Sequence, residues 1–65
     1  MNIILNGKPH ECDAADLERL LESLDHAPDS VATALNGDFV AHAERARHRL
    51  ADGDRVDVIA PMAGG

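Results

Sequence analysis

Leu17, Leu20, Leu21 and Leu24 fall at the i, i+3, i+4, i+7 spacing of one amphipathic helix. Glu18, Arg19, Glu22 and Asp25 lie between them on the wet side. A single apolar stripe of this kind must be covered by something else in the chain. The other apolar residues come in short runs that read as strands. One helix laid across one face of a mixed sheet is the simplest way to bury the leucines.

The strands are marked by their turns. Met1 to Leu5 is a short Ile-rich run closed by Asn6-Gly7, two residues that tolerate the positive φ of a tight hairpin. Lys8 to Cys12 returns as a second strand, and Pro9 suits an edge, where a missing donor does little harm. Asp13 reads as the helix N-cap, with Asp16 three residues on in a capping-box-like position. His26 to Ser30, containing Pro28, ends the helix. Val31 to Leu35 is a third strand, again closed by Asn-Gly at Asn36-Gly37, and Phe39-Val40 pairs back briefly. Ala43 to Leu50 is compatible with a helix too short to stand alone, with Leu50 anchoring it. Asp52-Gly53-Asp54 is a turn, and Val56 to Ala60 is a last strand stopped by Pro61. The pattern is α+β and looks like the β-grasp, or ubiquitin-like, fold: a mixed sheet of four to five strands with one main helix on one face. Residues 1–60 would form this domain and residues 61–65 a flexible carrier tail.

Size and charge narrow the function. A 65-residue chain makes one small domain with a thin core and leaves little material for an enzyme cleft. Twelve acidic residues against six basic ones, a formal charge of −6, oppose nucleic-acid binding and suit a basic protein partner. Phe39 is the sole aromatic, so no base-stacking platform exists. Cys12 is the sole cysteine and cannot form an internal disulfide; it reads as a small packed residue. There is no signal-peptide pattern and no apolar stretch of membrane-spanning length, so a soluble, cytoplasmic protein is expected. His10, His26, His42 and His48 lack metal-site spacing, and no triad, carboxylate pair or phosphate loop appears. Neither a catalytic residue nor a metal site is expected.

What remains is the end of the chain. Gly64-Gly65 follows the last strand after a Pro-Met-Ala spacer. A terminal carboxylate is ionised at neutral pH and a poor electrophile. Adenylation converts it into an acyl group that a sulfur nucleophile can attack, in a site that must exclude water. Glycine lets the backbone pass close to the walls of a narrow channel. Four extended residues at about 3.3 Å each reach roughly 13 Å beyond Pro61. Gly65 is therefore the expected point of attachment, and Met62, Ala63, Gly64 and Gly65 the segment that threads into a partner's active site.

Several segments carry a family likeness. Ile4-Leu5-Asn6-Gly7, Leu20-Leu21, Ala34-Leu35-Asn36-Gly37, the run from Leu50 through Ala51-Asp52-Gly53-Asp54 to Val56, and the end Ala63-Gly64-Gly65 together resemble the thiamine-biosynthesis sulfur carriers, ThiS. The likeness covers essentially the whole chain. It implies that an E1-like adenylating enzyme of the ThiF class uses ATP and Mg²⁺ to form an adenylate on Gly65. Sulfur originating from a cysteine desulfurase would then make a thiocarboxylate, and a thiazole synthase of the ThiG class would consume it. The carrier itself would bind no cofactor and exist as a monomer when free. Many relatives have a Pro-Arg pair and an aromatic where this chain has Ala41-His42 and Arg45.

Strand parity singles out two more residues. If Ile3, Leu5, Val56 and Val58 face the helix, Ile4 and Ile59 face away on adjacent strands, as a docking surface or as scattered surface apolar groups. His42, Arg45, Arg47, His48 and Arg49 read as a solvated basic face. Two other functions fit the pattern: a small subunit of molybdopterin synthase or another Gly-Gly sulfur carrier, and a ubiquitin-like interaction module whose glycines are incidental.

Overall fold

The computed structural model of the chain describes residues 1–60. Five strands form one sheet: β1 (Asn2–Leu5), β2 (Lys8–Glu11), β3 (Ala32–Leu35), β4 (Asp38–Val40) and β5 (Arg55–Ile59). Their spatial order is β2-β1-β5-β3-β4. β5, the last in sequence, is therefore the central strand. It runs parallel to β1 and antiparallel to β3. This is the β-grasp arrangement. Pro9 lies on an edge strand, as its missing N–H requires.

The two Asn-Gly pairs are tight turns with positive φ at all four residues: 50° and 81° at Asn6-Gly7, 51° and 89° at Asn36-Gly37. Helix α1 (Leu17–Ser23) turns Leu17, Leu20 and Leu21 onto the sheet, where they meet Ile3, Val40, Val56 and Val58 in one buried cluster. Leu24 packs against that cluster from the helix end. Cys12, just beyond β2, and Leu50 are also buried there.

Helix α1 is capped by Asp16 rather than by Asp13. The Asp16 carboxylate accepts from the Arg19 N–H at 2.9 Å, which puts the cap directly before the first leucine. The residues preceding it are engaged elsewhere. The Ala14 N–H donates to Cys12 Sγ, and the Ala15 carbonyl accepts from the Leu50 N–H. Asp16→Ala should therefore cost about 1 kcal/mol in urea unfolding, while Asp13→Ala should change stability by no more than about 0.5 kcal/mol. The helix ends before Pro28, because Asp25 already takes the left-handed conformation with φ 60°. A short 3₁₀ turn, Pro28–Ser30, leads into β3.

The second expected helix is a 3₁₀ segment, His42–Arg47, and Leu50 anchors the chain beyond it. Here the expectation of a fully solvated basic face is corrected. Arg47 is exposed, but Arg45 is only 3% exposed. Its guanidinium donates to Thr33 Oγ1 at 3.0 Å, to the Pro28 carbonyl at 2.8 Å and to the Val31 carbonyl at 2.8 Å. A buried arginine is tolerated because each of its three guanidinium nitrogens finds an oxygen acceptor. The 3₁₀ segment is thereby tied to β3 and to the turn before it.

Candidate functional site

β5 is braced from both sides by the side chains of the turn asparagines. Asn6 Oδ1 accepts from the Val58 N–H at 2.8 Å, and the Asn6 N–H donates to the Val56 carbonyl at 2.9 Å. Asn36 Oδ1 accepts from the Arg55 N–H at 2.9 Å, and the Asn36 N–H donates to the Arg55 carbonyl at 2.7 Å. Each Asn thus supplies a left-handed turn residue and two bonds to the central strand. β5 ends at Ile59, six residues before the end of the chain. The expected threading segment Met62, Ala63, Gly64 and Gly65, with its attachment point, lies outside the described residues.

The helix-free face of the sheet follows from the register. Ile4 stands beside Arg55, Asp57 beside Ala34 and Ala34 beside Phe39, and Ile59 beside Ala32. Ile4 and Ile59 do occupy adjacent strands on this face. They are four positions apart along β5, however, or about 13 Å. Ile4 is half-buried, whereas Ile59 is 59% exposed.

The largest apolar group on the face is Phe39, which is 73% exposed. Sequence reading passed over it as part of a brief return strand. The signal was present in its neighbour: Val40 points into the core at 2% exposure, so Phe39 must point out. Phe39, Ala34, Ala32 and Ile59 form the apolar part of the face. Ile59 and Ala32 lie at the C-terminal end of β5, whereas Ala34 and Phe39 lie in the row of Asp57, two positions back.

Among the described residues, no group of three His, Cys, Asp or Glu could hold a metal ion. A hollow between α1 and the 3₁₀ segments, lined by Leu21, His26, Pro28 and His42, has about 40 Å³, room for a water or two rather than a cofactor. Among the described residues, no helix is long and apolar enough to cross a membrane.

A mixed five-stranded sheet with its last strand central and one main helix on one face defines the β-grasp class of small domain. The ThiS family model matches residues 3–65, and the chain belongs to the ThiS family of sulfur carriers, which are not enzymes. It is 33% identical over 66 residues to the sulfur carrier protein ThiS of Escherichia coli, covering the whole of both chains. The fold is similar to the crystal structure of the thiamine biosynthesis protein ThiS from Geobacter metallireducens, with a TM-score of 0.84, 33% identity and full coverage of both chains. It is also similar to the solution structure of a thiamine biosynthesis protein from that organism, with a TM-score of 0.83 and 33% identity, covering all of this chain and 88% of the other.

Proposed function

We propose that this protein carries sulfur for the thiazole ring of thiamine as a thiocarboxylate on Gly65. The observation that carries the reading is the family match, which runs through the terminal Gly64-Gly65. The Gly65 carboxylate attacks the α-phosphorus of ATP, bound with Mg²⁺ in an adenylating enzyme of the ThiF class, and pyrophosphate leaves. A persulfide whose sulfur comes from a cysteine desulfurase then attacks the acyl carbon and expels AMP. Reduction of the resulting acyl disulfide by a thiol breaks the S–S bond and leaves –COS⁻ on Gly65. A thiazole synthase of the ThiG class takes that sulfur. Residues 61–65 act as the tail, and the domain of residues 1–60 docks outside the partner's site.

The chain's own contribution is delivery. A central, doubly braced β5 fixes where the tail begins, which restricts the positions the reactive carboxylate must search. Ile59 supplies apolar area next to that point, with Phe39 two strands across in the row of Asp57 and Ile4 further along the face. Intact mass spectrometry after incubation with ATP, Mg²⁺, the adenylating enzyme and a persulfide donor tests the reading. The expected product has one oxygen replaced by sulfur at Gly65. An unchanged mass, with partner enzymes shown to be active on another carrier, would refute it.

A further inference from the structure

The apolar part of the open face is interrupted by a charge. Asp57 sits on the central strand, beside Ala34 and in the same row as Phe39, and Ile59 follows two positions further on. It is half-buried and forms no ion pair among the described residues. Arg55 lies two positions back on the same face, beside Ile4, and likewise pairs with no carboxylate there. The Asp57 carboxylate therefore has no charged partner among the described residues.

A partner that covers Ile59 together with the row of Phe39 and Ala34 also meets Asp57, which ends that row on β5 and stands two positions from Ile59. Desolvating a lone carboxylate under an apolar surface costs far more than the neighbouring apolar contacts return. The cost disappears only if the partner brings a matching donor, and a cation does so best. We propose that Asp57 is the specificity-determining residue of this face, and that the partner docking there presents an Arg or Lys side chain to it from within an otherwise apolar surface. The inference rests on the carrier reading for the identity of the partner, the adenylating enzyme. The chain's charge of −6 steers the encounter in the same sense.

Calorimetric titration of the adenylating enzyme from the same organism with wild type, Asp57→Asn, Asp57→Lys and Phe39→Ala tests this. The asparagine keeps the shape and removes the charge, so affinity should fall about 30-fold, and the lysine should lower it by more than about 100-fold. Phe39→Ala should weaken binding by at least about tenfold, because it removes the aromatic anchor of the face. The association rate of Asp57→Asn should also lose part of the wild type's salt dependence, which a merely structural defect would not change. Thermal unfolding of each variant separates binding loss from misfolding. Wild-type affinity in Asp57→Asn, or tighter binding, would overturn the proposal, as would unchanged binding by Phe39→Ala. These outcomes are distinct from failure of sulfur loading, which concerns Gly65 and is read by mass.

Discussion

Deleting Gly65 should abolish sulfur loading and leave the melting temperature of the domain unchanged. The shortened chain still ends in a glycine carboxylate, so the expected loss comes from position rather than chemistry. One residue removes about 3.3 Å of reach. Misplacement of a reacting group by about 1 Å can cost a factor of about 100, so loading should drop by at least that factor. The buried cluster runs from Ile3 to Val58, which is why no effect on folding is expected. Mass spectrometry of the loaded product reads the first effect and thermal unfolding the second. Normal loading of the shortened chain would move the attachment point away from Gly65. A lower melting temperature would give the end of the chain a structural role.

Arg45→Ala should have the largest effect on stability. The substitution removes the donors that satisfy the Pro28 and Val31 carbonyls and Thr33 Oγ1, and leaves a cavity under β3. Thr33 is itself only 1% exposed, and its hydroxyl already donates to the Val40 carbonyl, so it cannot turn away to find water. Stranded buried acceptors and the cavity together should cost about 3 to 5 kcal/mol. A chain of 65 residues has roughly 3 to 10 kcal/mol in total. The variant should thus be partly unfolded at room temperature, with a melting temperature lowered by more than about 10 °C. Arg45→Lys should recover less than half of the loss, since a single ammonium cannot span the three acceptors. A melting temperature within a few degrees of wild type for Arg45→Ala would show that water replaces the guanidinium.

The parts of this fold that could be read from sequence are those whose determinants are local. The four leucines announced α1, and each Asn-Gly pair announced a hairpin, because helical spacing and positive φ need only neighbouring residues. Asp16 was visible as an acidic residue at the helix start, but choosing it over Asp13 needed the pairing of Ala15 with Leu50. Arg45 was misread for a similar reason. Nothing in its immediate sequence indicates that two carbonyls, from Pro28 and Val31, will close around it. The second duty of Asn6 depends on Val58, 52 residues away. Within the candidate site, parity placed Ile4 and Ile59 on the correct face, yet Phe39 escaped because β4 has only three residues in which to show alternation.

The central position of β5 has a mechanical consequence. β1 opens the chain and β5 leads to its end, and the two are parallel neighbours. Tension applied between the two termini therefore slides these strands past each other. The bonds from Ile4 to the Asp54 carbonyl, from Asn6 to the Val56 carbonyl and from Val58 to the Asn6 side chain are loaded together rather than opened one at a time. A machine that pulled on the chain beyond β5 while β1 was held would meet the sheet in shear rather than in peeling.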